Sequence, residues 1–440
     1  MFSSLKVPNF RLYAGSQVLS TTARGMQRVV QDWLVLELTG SVTAVGVTVA
    51  MQFAPTLFFG LYGGVIADRY RKRPLLIVTQ SLGAVIAATL ALLILTGSIQ
   101  VWQIWALAFV LGLDTVIDNP ARQVFVNEIV GPRNLSNAIS LNSSTFQLGS
   151  LIGPALAGVA ITAVGSGWAF VFNAGAYAVV VLALIAMNPA ELIRAPKIPH
   201  SKGQLIEGLR YAVKKPPIRY TLIVLAAVAT FAYNMPVILT AFANTVFKVG
   251  AGGYGMFNAL VAAGALAGAL ASTRRIHVGL RTTIFGAMAL GSIQACAGLM
   301  PSIATFALLI IAAGASSMLF LTAANTLIQT SSSLSIRGRV MALYVLVQLG
   351  GQAVGGPIMG WLIEQLGADS GMVISGLVPL FVASTTGILI ARKQRLTVAL
   401  CWRTLRPGLA IVARHPPHSH NAHSRQRHSQ AHSRQVRIQG

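Results

Sequence analysis

Hydrophobic residues in this chain come in long runs separated by short polar breaks, and the runs have the length of a bilayer crossing. A spanning helix needs about 20 mostly apolar residues. Runs of that size lie at 12–36, 42–66, 74–96, 102–121, 138–164 and 168–187, and again at 218–243, 252–271, 282–300, 303–329, 340–366 and 371–391. The pattern predicts an all-α membrane protein of twelve transmembrane helices, six on each side of a polar interval from Asn188 to Pro217. That interval gathers Pro189, Pro196, Pro199, Pro216 and Pro217 with Lys197, Lys202, Arg210, Lys214 and Lys215, the character of a linker, and Gly203 to Val213 predicts a short surface helix within it.

The expected organisation is an N-terminal six-helix half (1–187), a cytoplasmic linker (188–217), a C-terminal six-helix half (218–391) and a basic, His-rich tail (392–440). Residues 403–440 hold seven Arg, six His and no acid, and Ala422-His423-Ser424-Arg425-Gln426 recurs as Ala431-His432-Ser433-Arg434-Gln435. Such a segment cannot bury a core, so the tail is expected to be disordered in the cytosol. The halves echo each other: Gln147-Leu148-Gly149 followed by Gly153-Pro154 in the fifth run returns as Gln348-Leu349-Gly350 followed by Gly356-Pro357 in the eleventh. Repeated halves with a site between them are the usual construction of secondary transporters.

Composition agrees: of 440 residues 54% are apolar and 10% charged, where a soluble domain carries about 25% charge. A large soluble domain is excluded. The 33 basic residues against 10 acids would suit nucleic acid, but their placement points elsewhere. Lys6, Arg11, Arg69, Arg71, Lys72, Arg73, Arg122, Arg133, the linker cluster, Arg274, Arg275, Arg281, Arg337 and Arg339 fall on one side of the predicted bundle, and the opposite loops hold only Lys248. By the positive-inside rule both termini face the cytoplasm of a multi-pass protein in the plasma or inner membrane, and no nucleic-acid partner is expected. No removable signal peptide is expected at Met1 to Gly15. Cys296 and Cys401 are too few for a disulfide framework, and no cofactor or metal site is predicted.

Three apparent motifs are set aside. Gly250 to Gly255 fits G-x-G-x-x-G but opens a membrane helix with no soluble strand before it. The absence of any Gly-Lys dipeptide excludes a P-loop and ATP-driven transport within the chain. Asn142-Ser143-Ser144 matches a glycosylation acceptor but sits beside the fifth span.

Three constellations carry function. The loop between the second and third spans reads Gly64-Val65-Ile66-Ala67-Asp68-Arg69-Tyr70-Arg71-Lys72-Arg73. Here Gly64 permits close helix approach, and Lys72 and Arg73 read mainly as positive-inside residues. Asp68, which insertion does not require, reads as a latch between the halves. The fifth span carries Gly149, Gly153, Pro154 and Gly158, a small-xxx-small face with a proline that permits a kink. Ordinary helix packing is the competing reading.

The third constellation is intramembrane charge, which costs roughly 2.5–3.5 kcal/mol per residue at the helix centre on insertion scales. Arg24, Arg28 and Asp32 follow each other at four-residue steps on the first span, and Arg28 and Asp32 stand where they can neutralise each other. Asp114, Asp118 and Arg122 repeat that spacing on the fourth span, where Asp118-Asn119-Pro120 also reads as the helix closing near the inner surface. The expected proton-coupling candidates are Asp32, Asp114 and Asp118, with Arg24, Arg28 and Arg122 as their charge partners. Gln27, Asn234 and Asn325 are the expected lining of a mid-membrane substrate cavity.

The loop motif resembles that of the major facilitator superfamily, with Arg71 standing where a second glycine is usual. The resemblance covers about residues 10–392 and implies the fold of two pseudo-symmetric six-helix halves. The fifth-span run resembles the motif associated in that superfamily with drug:proton antiporters, although Ala157 replaces a further glycine. The segments Met26 to Gly40 and Asp118 to Gln123 are most similar to the branch that includes the enterobactin exporter and macrolide efflux groups. The resemblance implies a monomeric secondary transporter, no enzyme, that exports a small amphipathic drug, siderophore or metabolite against protons. Its partners are then the substrate, protons and the lipid bilayer. An uptake symporter or facilitator on the same fold is the alternative, and a non-transport receptor or enzyme ranks below it.

Overall fold

The computed structural model describes residues 3–193, 204–272, 279–333, 336–393, 396–403 and 406–413. Each of the twelve apolar runs is helical. Spans one to three are Pro8–Thr39, Val42–Arg69 and Lys72–Leu95. One continuous helical stretch, Val101–Ala186, carries spans four, five and six, divided where Gly131 (φ 65°) and Gly165 (φ 83°) adopt a backbone that other residues resist. The linker helix is Gln204–Lys214. Span seven is Pro216–Val246, span eight Gly250–Ser272, span nine Leu280–Ala297, span ten Ile303–Ser331, span eleven Arg337–Leu366 and span twelve Ala368–Lys393. Among the described residues nine stretches are long and apolar enough to cross a membrane, one of them Asn137–Ala186, which holds spans five and six together. Large apolar side chains such as Trp102, Phe172, Phe285, Leu308 and Phe381 stand exposed on the outside of the bundle, as lipid-facing residues should.

Two ends of the bundle can be told apart. The basic face carries the N-terminus, the turn at Tyr70 and Arg71, Gly131 and the linker. The far face carries the turns at Gly40, Gly97, Gly165, Lys248 to Gly250 and Gly367, each with positive φ at a glycine. On the basic face Asn9 anchors the first span: its Nδ2 donates to the Asn188 carbonyl at 3.0 Å, and its Oδ1 accepts from the Asn188 amide at 2.9 Å.

Span seven is broken twice. The α-helix Pro216–Ala227 gives way to a π-turn at Val228–Ala232, resumes at Met235–Ala241, and loosens again at Phe242–Val246. Pro236 accounts for the first break: it has no N–H to give the Ala232 carbonyl, and Gln294 Nε2 of span nine donates to that oxygen instead at 3.0 Å. Asn234 Nδ2 donates to the Thr230 carbonyl at 2.8 Å in the same loosened turn.

The tail departs from expectation at its start. Leu396–Arg403 (β1) and Arg406–Ala413 (β2) pair antiparallel, with Leu396 opposite Ala413 and Arg403 opposite Arg406. The expectation of disorder came from the His- and Arg-rich composition, whereas Leu396-Thr397-Val398-Ala399-Leu400 and Leu409-Ala410-Ile411-Val412 are strand-forming. Both copies of the pentapeptide repeat lie outside the described residues, as do Arg194, Lys197, Lys202, Arg274 and Arg275.

Candidate functional site

Span one is amphipathic in an unusual sense: its polar stripe faces inward. Gln17, Ser20 and Arg24 meet spans three and four, where Asp118 is fully buried. Asp118 Oδ2 accepts from Arg24 Nη2 at 2.8 Å and from Arg122 Nε; Oδ1 accepts from Thr79 Oγ1 at 2.8 Å and Gln80 Nε2 at 2.9 Å. Arg122 reaches on to Gln17 Oε1 and donates to Ser20 Oγ at 2.8 Å, and Ser20 Oγ donates to Gln80 Oε1 at 2.8 Å. Both carboxylate oxygens are engaged, which is what makes a buried carboxylate tolerable. Asp118 therefore does not close a helix end. Span four continues as helix through Pro120 and Arg122 to Val130. The Val116 carbonyl that Pro120 leaves without a donor lies against Gly63, where a Cβ would collide with it.

Asp114, one turn away, is buried with its Oδ1 unpartnered, as is the nearby Tyr177 hydroxyl. It does not line the cavity described next.

Between the halves lies a cavity of about 260 Å³. Span one supplies Arg24, Arg28 and Asp32 to it, span two Gln52 and Phe53, span five Phe146 and Pro154, span seven Tyr233 and Pro236, span eight Tyr254 and Asn258, and span eleven Gln352. Asp32 joins the two halves. One of its oxygens accepts from Gln52 Nε2 at 3.3 Å and the other from Tyr254 Oη, in the opposite half, at 3.2 Å. Trp33 stacks on the Tyr254 ring with centroids 5.9 Å apart. The Arg28–Asp32 pair does not form, since no ion pair within 4.0 Å links them; Arg28 lies instead over the Phe53 ring, 5.3 Å from its centroid. The i, i+4 spacing permits the pair, but Asp32 turns toward Gln52 and Tyr254.

On the far-face side of the cavity the halves are in tight contact. A Cβ at Gly46 of span two would run into the Gly356 carbonyl of span eleven, and one at Gly360 would lie 2.7 Å from the Thr43 Cα. A Cβ at Gly158 of span five would lie 3.0 Å from the Gly255 Cα of span eight. The fifth-span motif thus has two partners: Gly149 and Gly153 pack on span one at Thr21 and Thr22, and Gly158 packs on the other half. Glu364, at the far end of span eleven, crosses to the start of span two. It accepts from Ser41 Oγ at 2.5 Å, the Thr43 amide at 3.0 Å and Thr43 Oγ1 at 2.5 Å.

On the basic face, Gly64 has open space around it, and the close approach belongs to Gly63 beside it. Lys72 and Arg73 do more than orient the chain. Lys72 Nζ lies 3.9 Å from Glu128 of span four, and Arg73 donates to the Leu184 and Ile185 carbonyls at 2.8 and 2.7 Å, capping the end of span six. Arg69 is exposed, and the Asp68 side chain lies outside the described residues. A contact on this face runs through the linker helix, where Glu207 pairs with Arg339 of span eleven and Tyr211 Oη accepts from the Ser333 amide at 3.2 Å.

The expected cavity lining is corrected. Gln27 is buried inside the N-terminal half, accepting from Asn173 Nδ2 at 3.0 Å. Asn234 is turned into its own helix, and Asn325 accepts from Gln329 Nε2 on span ten. None of the three lines the cavity. Tyr254 and Glu364 were not anticipated. Tyr254 sits in the glycine run set aside as a false nucleotide motif, and Glu364 is an ordinary-looking acid near a helix end; cross-half pairing has no local signature.

A family profile described as "Transmembrane secretion effector" matches residues 1–398. The enterobactin exporter EntS of Shigella flexneri is 26% identical over 363 residues, covering 81% of this chain and 85% of that protein. EntS of Escherichia coli O157:H7 is 25% identical over 362 residues with the same coverage. Among solved structures, a bacterial homologue of the human lysosomal transporter Spinster, in an inward-facing and unoccupied conformation, superposes with a TM-score of 0.68 at 16% identity, covering 89% of this chain and 98% of that one. The nucleoside transporter NupG superposes with a TM-score of 0.72 at 12% identity, covering 87% and 99%. The arrangement of the helices is thus that of solved transporters of this fold, and the chain belongs to the transmembrane secretion effector family of major facilitator transporters.

Proposed function

We propose that this protein exports a small amphipathic compound in exchange for protons, with its basic face in the cytosol and its far face outside. The observation that carries the reading is the position of Asp32. It lines the cavity, and its hydrogen bond to Tyr254 joins the two halves in a state whose far face is closed. A carboxylate whose partners change with the conformational state is what couples protonation to alternating access.

In this reading the far-face seal corresponds to the inward-facing state. Rocking of the halves withdraws Tyr254, exposes Asp32 to the outside and admits a proton in place of the lost hydrogen bond. Return to the sealed state carries the proton inward, where cargo capture and deprotonation complete the cycle. Asp118 serves as structural ballast in this cycle, because a proton there would displace two guanidinium contacts. Asp114 is buried in the N-terminal half, and among the described residues it has no partner in the other.

Proteoliposomes test the coupling. With valinomycin and equal potassium holding the membrane potential at zero, an acid interior should drive uptake of radiolabelled 2-naphthalenesulfonate, a permanently charged aromatic probe. Uptake equal with and without the pH gradient would remove the antiport claim. Direction is read in intact cells, which should retain less probe with the protein than without it.

A further inference from the structure

The cavity holds one strong group that the transport cycle above does not use. Arg24 and Arg122 share Asp118 within the N-terminal half. Arg28, one turn beyond Arg24 on the same stripe, has no carboxylate within 4.0 Å and no hydrogen bond from its guanidinium among the described residues. Its described contact is the face of Phe53. A cation–π contact uses the guanidinium plane and leaves its in-plane N–H groups free. Asp32, one turn along, acts on Arg28 through space but forms no ion pair with it within 4.0 Å, its oxygens being turned to Gln52 and Tyr254.

A guanidinium without a hydrogen-bonded counter-ion is costly inside a membrane protein, and such residues face water-filled cavities where they mark ligand pathways. Arg28 opens onto the cavity between the halves. The walls around it are aromatic, Phe53, Phe146, Tyr233 and Tyr254, while Asn258 and Gln352 offer carboxamides. Asn258 spends its Nδ2 on the Tyr254 carbonyl at 2.9 Å, which leaves its Oδ1 to accept from a ligand hydroxyl. The volume of about 260 Å³ lies just under the range of roughly 300–1,000 Å³ that takes drug-sized ligands, and suits a cargo portion of one or two rings.

We propose that Arg28 is the anchor of an anion-binding site, and that the cargo is an aromatic compound bearing a carboxylate, sulfonate or phenolate that pairs with its guanidinium while the ring lies against Phe53. The assignment rests on the transport reading for its physiological meaning, but not for its test. An anion held this way is desolvated, and fork-shaped pairing with guanidinium is the strong form of that contact.

Binding to the purified full chain in lipid nanodiscs decides it by calorimetry with three probes of one ring system: 2-naphthalenesulfonate, neutral 2-naphthalenesulfonamide and (2-naphthylmethyl)trimethylammonium. The sulfonate should bind at least tenfold more tightly than either other probe. Arg28→Gln should weaken the sulfonate at least tenfold and leave the sulfonamide within twofold, which also reports that the variant is folded. Arg28→Lys should recover part of the loss, and Phe53→Leu should weaken all three. Equal binding of the three probes by the unaltered protein, no measurable sulfonate binding, or an unchanged sulfonate preference in Arg28→Gln would each overturn the site. Sulfonate binding at this site without gradient-driven uptake would sink the antiport reading and leave the anion site standing.

Discussion

Glu364→Ala should release the far face. The carboxylate of span eleven accepts three hydrogen bonds from the first turn of span two, across the two halves. Ser41 is itself the N-cap of span two, its Oγ accepting from the Ala44 amide at 3.1 Å, so Glu364 also places a negative charge at the positive end of a helix. That placement is worth about 0.3–1 kcal/mol. Each hydrogen bond adds about 0.5–1 kcal/mol at most, because Glu364 is solvent-exposed. With the entropy of holding an exposed side chain deducted, the latch contributes about 2 kcal/mol, or about 30-fold in the ratio of sealed to open states. The glycine contacts of spans two and eleven remain, so the substitution should tilt the equilibrium without abolishing the sealed state. Spin labels at Ser98 and Pro301, on far-face turns of the two halves, report it by pulsed dipolar spectroscopy once Cys296 and Cys401 are replaced by Ser. The expected result is a longer-distance population enlarged by about an order of magnitude or more relative to the short one. A Ser41→Ala, Thr43→Val background should show part of this shift, and adding Glu364→Ala to it should add less than in the unaltered protein, because only the Thr43 amide bond and the helix-end charge are left to lose. Indistinguishable distance distributions, or full additivity of the two sets, would refute the latch.

Asp118→Asn should strip the charge that holds Arg24 and Arg122, a loss of about 3–5 kcal/mol for a broken buried pair, and lower the thermal unfolding midpoint by of order 5–10 °C. Adding Arg24→Gln to it should recover part of that drop, and an unchanged midpoint in the single variant would deny the hub its role. Asp32→Asn should abolish pH-gradient-driven uptake of 2-naphthalenesulfonate at least tenfold, whereas Asp114→Asn should change it less than twofold; the reverse ranking would transfer coupling to Asp114. Gly158→Val inserts bulk where even a Cβ lies 3.0 Å from Gly255, so it should move the same spin-label pair toward long distances at a cost of about 1–3 kcal/mol to the sealed state. A distribution matching the unaltered protein would show that this contact is not part of the seal.

The fold was legible because spanning helices advertise themselves one at a time: each needs about 20 apolar residues in sequence, and twelve runs answer to helices here. The charged residues on spans one and four were legible for a related reason, since insertion physics disfavours them and any survivor must have a use. Their partners were not. The i, i+4 spacing of Arg28 and Asp32 suggested a local pair, yet Asp32 bonds to Gln52 twenty residues on and to Tyr254 in the other half. Asp118 before Asn119-Pro120 suggested a helix end, yet Gly63 fits against the carbonyl that Pro120 frees and the helix continues. Gln27 and Asn234 looked like cavity groups because they are polar and mid-membrane. Which side of a helix faces the cavity depends on the rotation of its neighbours, and period alone does not fix that.

What connects the pieces is the geometry of span eight. Its second turn contains Gly255, which lets span five approach, and Tyr254, which holds Asp32; the two residues are adjacent in sequence. Any motion that parts Gly158 from Gly255 must therefore carry the Tyr254 hydroxyl as well, because a helical turn moves as a unit. Closing the far face and engaging the carboxylate are in that sense one event. The fifth-span glycines extend the linkage: Gly149 and Gly153 lie on span one at Thr21 and Thr22, so the helix that bears Arg28 and Asp32 is seated on the same span that meets Gly255. A cargo anion at Arg28 and a proton at Asp32 would then act on a single helix, one turn apart. Each need only favour a different position of span eight to exclude the other, which is the minimal requirement for exchange.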